Sequence, residues 1–406
     1  MWCKNWCPVF VLVAVARHCV SQEKEYDEDE FEAGASGPTT PRPPPPVALQ
    51  NMTDLVKSYG YDVEDFEVKV SDGQTIALYH LKPKTTDGPV VLLHHGLGMS
   101  PDVFCFQPDS LGFLLAGKGA DVWMTSARGT VYSRKHAKYD PNNDFEFWDF
   151  SFVEMAEMDL PAVIDFVLEK SKQTSLFYVG HSLGTTILLV TLAKKPEYNS
   201  KIKEAILLAP MWHCTKFQGM INKQSPMYQM VIDTNKQFDD NKKWEAFPRK
   251  DVVKTDHQLR CQDLPEMVTS YCEMAMDMVY SSVGEFVPAG TSVKVFKHVQ
   301  QSYMDGMVKP FDYEDEALNK KAYDQSTPPD YDIKKVTAKV NLFWAQADQL
   351  IDSEDVKKLS SSLPNVGISE QVEDESFGHP DFILPSTDKM KTATHNFHLK
   401  LVDMIK

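Results

Sequence analysis

The chain has 406 residues and a net charge of −16, from 42 basic and 58 acidic side chains. Nucleic-acid phosphates require a basic surface, so this charge argues against a nucleic-acid partner, and it provides no attraction to anionic membranes. After the first residues, no run is long and apolar enough to span a bilayer. A chain of this length can bury most of its apolar surface without disulfides or metal ions to hold it together, so a folded enzyme or binding protein is expected.

The first 21 residues have the features of a secretory signal peptide. Lys4 precedes a short apolar run, residues 8–16, that is too short for a transmembrane helix. Cleavage near residues 19–22 would release a secreted protein. An uncleaved anchor is the alternative for this segment, and the lysosome is the alternative destination.

Residues 22–50 have a composition that cannot form a core. An acidic block at residues 23–30 is followed by a proline-rich stretch at residues 39–46, which predicts disorder. A solvated tail is the simplest interpretation, and a propeptide or a tether to a basic partner is the alternative. The sequon Asn51-Met52-Thr53 then predicts a glycan on Asn51.

An early strand expected in the folded part ends in a His-Gly pair. The apolar run of residues 89–93 leads into His94, His95, Gly96 and Leu97. In serine hydrolases with a strand–turn–helix nucleophile, the loop after such a strand supplies one backbone N–H of the oxyanion hole. The Leu97 amide is the candidate. We expect both histidines to shape this turn rather than to catalyse, because they precede the candidate nucleophile.

A glycine-flanked serine follows the apolar run of residues 176–179. Residues 180–184 read Gly-His-Ser-Leu-Gly, with a strand-like stretch before them and a helix-like stretch after them. A sharp turn of this kind lifts a serine hydroxyl clear of the sheet, and the glycines let the backbones approach closely. Ser182 is therefore the candidate nucleophile, and the amide of Leu183 is the second candidate oxyanion donor. An ordinary turn with a surface serine is the alternative.

A serine nucleophile needs a histidine base and a carboxylate to orient it, in the chain order serine, acid, histidine. The predicted strand at residues 340–344 runs into Asp348, where α/β sheets place their sites. Asp352 and Asp355 compete, but they lie at the start of a predicted helix, where capping or solvation explains them.

The candidate base is His379. It stands between a glycine and a proline on irregular backbone, after a strand-like stretch at residues 367–372. His395 and His398 lie on a predicted terminal helix, where surface or packing roles suit them. No histidine–cysteine cluster has the spacing of a zinc site, and this chemistry requires no metal or cofactor.

With these residues placed, several stretches resemble the acid lipases, the family that includes gastric and lysosomal acid lipase. The stretches cover most of the chain from about residue 50 to about residue 390. They are residues 93–97, 120–124, 126–136, 146–152, 159–166, 180–184, 288–293 and 327–332. The Glu-Phe-Trp-Asp-Phe-Ser-Phe run at 146–152 and the Pro-Ala-Gly-Thr-Ser run at 288–292 are much more specific than the serine motif.

The resemblance implies an α/β-hydrolase core, with a mostly parallel sheet and an inserted, mainly helical cap. The core would comprise residues 51–210 and 333–406, and the cap residues 211–332, which hold ten of the chain's 18 methionines. It also implies a cap disulfide, Cys261–Cys272, while Cys105 and Cys214 are left as free or buried. The family usually has Gln where this chain has Leu183, a change that leaves the backbone N–H in place.

The function implied is ester hydrolysis of acylglycerols or sterol esters at a lipid–water interface. Carried over by motif, Ser182, Asp348 and His379 form the catalytic triad, and Leu97 and Leu183 provide the oxyanion amides. Flexible methionines suit a surface that accepts varied acyl chains, although ordinary helix packing also explains them. A hydrolase of small soluble esters and a non-catalytic lipid-binding relative are the alternatives.

Overall fold

The structure is a computed structural model that describes residues 51–82, 88–217, 226–261 and 287–406. The predicted signal peptide and the acidic, proline-rich segment lie outside the described residues, and so does Cys272. Asn51, the first described residue, is exposed, and its Oδ1 accepts a hydrogen bond of 2.9 Å from the Asp54 amide at the start of a helix. The glycan on Asn51 stays a prediction.

A twisted, mostly parallel sheet forms the centre of the fold. The strands are β1 (Val63–Lys69), β2 (Gln74–Leu81), β3 (Val90–His94), β4 (Asp121–Thr125), β5 (Lys135–His136), β6 (Leu176–His181), β7 (Ile202–Leu208), β8 (Glu245–Ala246), β9 (Gln258–Leu259), β10 (Thr291–Ser292), β11 (Val340–Trp344) and β12 (Val366–Gln371). The central order is β1-β2-β4-β3-β6-β7-β11-β12, and β5 pairs with β2. The pairings of β2 are antiparallel, whereas those from β4 to β12 are parallel.

Eleven α-helices are found in the described residues. They are α1 (Met52–Ser58), α2 (Leu111–Gly117), α3 (Phe145–Trp148), α4 (Phe152–Glu154), α5 (Leu160–Ser171), α6 (Leu183–Lys194), α7 (Pro226–Asp240), α8 (Val293–Asp305), α9 (Glu316–Tyr323), α10 (Ser353–Ser362) and α11 (Met390–Met404). Every residue of β3, β6 and β11 is buried, because strands inside a parallel sheet are covered on both faces. This is why their sequences are continuous apolar runs.

The chain between β7 and β11, residues 209–339, is called the β7–β11 segment below. Its described residues include α7, α8, α9 and a small separate sheet of order β10-β8-β9. The predicted cap lies within this segment, and its boundaries as a separate domain stay a prediction. In the ranges that the structure describes, no helix has both the length and the apolar character needed to cross a bilayer.

Three of the four cysteines expected in the mature chain lie in the described residues. Cys105 and Cys214 are free and buried. Cys261 is buried as well, with 8% of its surface exposed. Since Cys272 lies outside the described residues, the Cys261–Cys272 disulfide stays a prediction.

Candidate active site

Ser182 occupies the turn between β6 and α6 in a strained backbone conformation. Its φ of 52° and ψ of −119° are unusual for a residue with a side chain. The turn is held on both sides, because the Ser182 amide donates to the Leu208 carbonyl at 2.9 Å and the Thr185 amide donates to the Ser182 carbonyl at 2.9 Å. This is the geometry of a nucleophile elbow, in which the serine hydroxyl projects above the carboxyl edge of the sheet.

The flanking glycines are required by close backbone approach. A Cβ on Gly184 would lie 2.6 Å from the His94 carbonyl oxygen, and a Cβ on Gly180 would lie 2.7 Å from the Tyr178 ring. Contacts this short do not occur between real Cβ atoms and their neighbours. Glycine at position 184 therefore lets the elbow lie against the end of β3, and glycine at position 180 leaves room for the Tyr178 ring and the Gly184 backbone.

The structure brings the three predicted triad residues into one hydrogen-bonded chain. Nε2 of His379 lies 2.9 Å from Oγ of Ser182, and Nδ1 of His379 lies 2.8 Å from Oδ2 of Asp348. An ionised carboxylate can only accept hydrogen bonds, so the neutral His379 ring carries its proton on Nδ1. The lone pair on Nε2 then faces the Ser182 hydroxyl. The exposed fraction is 1% for Asp348 and 8% for His379, so water is largely excluded from these bonds.

The Asp348 carboxylate is fixed by its own loop just beyond β11. Its Oδ1 accepts from the Leu350 amide at 2.8 Å and from the Ile351 amide at 2.9 Å. Burial by itself raises the pKa of Asp348, but the neighbouring His379 and these donors outweigh burial, and the net pKa is lowered. The group is therefore an ionised carboxylate, as an orienting acid must be.

The two competing aspartates have structural positions. Asp352 caps α10 by accepting from the Glu354 amide at 2.9 Å, as predicted. The expectation of capping or solvation was wrong for Asp355, which is buried and accepts from both the amide and the hydroxyl of Thr215 at 2.7 Å. The sequence could not reveal this partner, because Thr215 is 140 residues away.

His181, which precedes the serine, forms a hydrogen bond to the backbone of the candidate base. It is fully buried, and its Nε2 donates to the His379 carbonyl oxygen at 3.0 Å. Burial, with a smaller effect of His379, lowers the pKa of His181 to about 3, so the ring is neutral. The sequence does not predict this role, and the position of His181 inside the serine motif is the one signal that points to it.

The loop that carries His379 is also held by an acidic side chain not predicted from sequence. Oδ2 of Asp381 accepts from the Gly378 amide at 2.7 Å, and Oδ1 accepts from the Ser386 amide at 2.6 Å. On the terminal helix α11, His398 is buried and bonds the Phe382 carbonyl at 3.0 Å, while His395 pairs with Asp109 at 3.3 Å. The packing and surface roles predicted for these two histidines are confirmed.

The Gly96–Leu97 peptide lies directly beside the serine. A Cβ on Gly96 would be 3.1 Å from Cβ of Ser182. The Gly96 carbonyl accepts from Nδ1 of His95 at 2.8 Å and from the Met99 amide at 3.3 Å. Since a peptide group is planar, these bonds also fix the direction of the Leu97 N–H.

His95 and His94 shape this loop, as the sequence indicated. Nε2 of His95 accepts from the Ala127 amide at 3.0 Å, and burial lowers the pKa of His95 to about 4. Nδ1 of His94 donates to the Tyr178 hydroxyl at 2.8 Å, and that hydroxyl donates to the Gly184 carbonyl at 2.7 Å. Burial also lowers the pKa of His94, so both rings are neutral, and His95 has both of its ring nitrogens in structural hydrogen bonds. Neither ring bonds Ser182, whereas His379 does.

The second candidate oxyanion donor, the Leu183 amide, is the first N–H of α6. The first N–H groups of a helix have no partner within the helix. Within the described residues, neither the Leu97 amide nor the Leu183 amide donates a backbone hydrogen bond. Two donors beside a serine–histidine pair can receive the negative charge that develops on a carbonyl oxygen under attack.

Comparison with known proteins shows the family of this chain. The family model described as alpha/beta hydrolase fold matches residues 89–385, and the model described as partial alpha/beta-hydrolase lipase region matches residues 52–108. Human lipase member M is 33% identical over 366 residues, with 83% of this chain and 82% of the relative covered. Rat gastric triacylglycerol lipase is 32% identical over 361 residues, with 83% and 88% covered.

The chain belongs to the acid lipase family of the α/β hydrolases. It is accordingly an ester hydrolase of the lipase type. The solved structure of DcsB in complex with its substrate analogue superposes with a TM-score of 0.51 at 12% identity, covering 85% of this chain and all of that one. At that identity the likeness concerns the fold alone.

Proposed function

We propose that this chain is a secreted serine lipase that hydrolyses acylglycerol esters through Ser182, His379 and Asp348. The observation that carries the proposal is the 2.9 Å contact between Oγ of Ser182 and Nε2 of His379 at a strained strand–helix turn. Strain of this kind persists only where the surrounding structure enforces it, and it is typical of functional positions.

In the proposed acylation step, Oγ of Ser182 attacks the ester carbonyl while Nε2 of His379 takes the hydroxyl proton. Asp348 holds the Nδ1 proton of the ring and stabilises the imidazolium that forms. The carbonyl oxygen becomes an oxyanion, which the amides of Leu97 and Leu183 bind. Collapse of the intermediate breaks the ester C–O bond, and the imidazolium protonates the departing alcohol.

Water completes the cycle on the acyl-enzyme. His379 takes a proton from the water as its oxygen attacks the acyl carbonyl, and the same two amides bind the second oxyanion. Release of the fatty acid returns the proton to Ser182. The buried, ionised carboxylate of Asp348 stabilises the charged ring in both half-reactions.

The proposed substrate class rests on the relatives and on charge. Several relatives are named gastric triacylglycerol lipase, and they align over most of this chain. Because the net charge of −16 disfavours an anionic surface, contact with a lipid–water interface would have to be apolar. Secretion, the glycan on Asn51 and the Cys261–Cys272 disulfide belong to the same proposal.

Fatty-acid release from an emulsified long-chain triacylglycerol tests the proposal. We would compare wild type with Ser182→Ala between pH 4 and 8, with a short-chain soluble ester and a sterol ester in parallel. Loss of the nucleophile should reduce release by at least about 10³-fold. Retained hydrolysis in the variant would disprove the role of Ser182, and activity confined to the soluble or sterol ester would assign a different substrate.

A further inference from the structure

A short stretch of the β7–β11 segment lies between two loops of the core. The Ala289 amide donates to the Gly98 carbonyl at 2.7 Å, and the Ala289 carbonyl accepts from the Val131 amide at 2.8 Å. Gly98 directly follows Leu97, the proposed oxyanion donor. The loop that presents this donor is thus hydrogen-bonded to residues that come from outside the core.

A second connection reaches the same loop through side chains. Nη1 of Arg249, on the β7–β11 segment, donates to the Tyr132 hydroxyl at 3.0 Å, and that hydroxyl donates to Oδ1 of Asp102 at 2.8 Å. The guanidinium lies 5.1 Å from the centre of the Tyr132 ring, and Asp251 holds it on its other edge. The Tyr132 hydroxyl is therefore the only atom joining Arg249 to Asp102 among these described contacts.

Asp102 lies on the 3₁₀ turn Pro101–Phe104, which continues from the Leu97 loop. Its carboxylate is completely buried and also accepts from the Ser100 hydroxyl. Burial raises the pKa of Asp102, and the Ser100, Tyr132 and Arg249 groups oppose that rise. A buried carboxylate oxygen that lost its donor would be costly, so the loop would shift to find a new partner.

We propose that Tyr132 is a positioning residue for the oxyanion site, and that together with Ala289 and Arg249 it holds the Leu97 loop in place. The β7–β11 segment then takes part in transition-state stabilisation as well as any contact with substrate. This inference rests on the proposed function, because it takes the Leu97 amide as an oxyanion donor. It differs from a lid role, since it applies equally to substrates too short to touch a lid.

Tyr132→Phe tests the inference, because it removes the bridging hydroxyl and keeps the ring. With a short-chain soluble ester we expect kcat to fall about 10- to 100-fold and KM to stay unchanged, as misplacement of an oxyanion donor affects the transition state. A trifluoromethyl ketone provides the specific readout. Oγ of Ser182 adds to its carbonyl carbon, the proton passes to His379, and the new oxyanion requires the Leu97 amide.

The affinity for this ketone should fall by the same factor as kcat, whereas that for a non-hydrolysable ether analogue should not change. Tyr323→Phe is the matched control, because it removes another hydroxyl bond of the β7–β11 segment, at 2.7 Å to the Phe311 carbonyl. Arg249→Gln removes the guanidinium that donates to the Tyr132 hydroxyl, so it breaks the connection between the β7–β11 segment and Asp102 on the side of the segment. It takes the place of Tyr132→Phe if that variant does not fold.

Unchanged kcat and unchanged ketone affinity in Tyr132→Phe and Arg249→Gln would overturn the inference. Equal losses for the ketone and the ether analogue would overturn it too, because they indicate damage to the whole site. A failure of the proposed function is separate, since it shows as hydrolysis that survives Ser182→Ala.

Discussion

Nε2 of His181 donates to the carbonyl oxygen of His379 at 3.0 Å, so the residue before the proposed nucleophile supports the proposed base. The two rings lie 4.9 Å apart, centre to centre. This bond joins the elbow to a loop that lies 198 residues later in the chain. Its loss would leave a buried carbonyl without a donor and free the imidazole to move.

Replacing His181 tests this support. We expect His181→Leu to lower kcat about 10- to 100-fold, because an unsatisfied buried carbonyl costs about 1 to 3 kcal/mol and His379 loses its position. His181→Gln retains an N–H donor and should recover part of the loss. Steady-state kinetics, with thermal unfolding as the check on folding, measure both variants; equal activity of Leu and Gln at this position would contradict the argument.

The ionised Asp348 carboxylate should be essential for turnover. Asp348→Asn offers Nδ1 of His379 no charged acceptor and allows the wrong tautomer, so we expect kcat to fall about 10³- to 10⁴-fold. Asp355→Asn is the matched control, since Asp355 is buried nearby but bonds Thr215. It should lower the free energy of unfolding more than it lowers kcat. Comparable kinetic defects in both variants would argue against a special role for Asp348.

The close approach at the elbow predicts a steric effect at Gly184. Gly184→Ala places a methyl group 2.6 Å from the His94 carbonyl oxygen, so we expect a loss of about 1 to 3 kcal/mol in the free energy of unfolding. Gly117→Ala is the control, because a Cβ there meets nothing within 4 Å at the end of α2. Urea denaturation should find Gly117→Ala neutral or slightly stabilising; a stable Gly184→Ala would show that β3 can move away.

Buried neutral histidines predict that the fold loses stability in acid. His298 stacks on Phe152 at 3.7 Å, its Nε2 donates to the Lys309 carbonyl at 2.8 Å, and burial lowers its pKa to about 3. The unfolded chain has the ordinary histidine pKa of about 6.5 and binds the proton first, so stability is retained above pH 6.5 and falls as the pH drops toward 3.

His298→Gln keeps a donor for Lys309 and removes the titrating group. Between pH 6 and 4 the free energy of unfolding of the variant should decline less steeply than that of wild type, by about 1.4 kcal/mol per pH unit. Guanidinium unfolding at several pH values measures the two slopes. Parallel slopes would mean that His298 is already charged in the folded protein.

Counting thiols tests the Cys261–Cys272 disulfide. Cleavage of the predicted signal peptide would remove Cys3, Cys7 and Cys19 and leave four cysteines. Burial raises the pKa of the Cys105 and Cys214 thiols, so the folded protein should not react with a thiol reagent. In denaturant without reductant, two thiols per chain are expected with the disulfide and four without it, and Cys261→Ser should raise the count to three.

Much of the fold and of the candidate site followed from local sequence patterns. The strand at residues 340–344 has the predicted bounds, and Ser182, Asp348 and His379 each follow a strand of the sheet, in the chain order expected for a serine, an acid and a base. Such patterns are readable because a strand covered on both faces must be apolar and a tight elbow requires glycine two residues before and two residues after the serine. The parallel order of the sheet then brings the carboxyl ends of the strands to one edge.

Only the tertiary structure decided which polar groups became partners across long stretches of chain. Asp355 with Thr215, His181 with the His379 carbonyl, and Tyr132 between Asp102 and Arg249 have no periodicity or spacing that predicts them. Each is a buried polar group that must find a donor or acceptor, and that partner depends on which loops the packed sheet brings together. The sequence determined the chemistry available at the edge of the sheet, and tertiary packing determined how it is held in place.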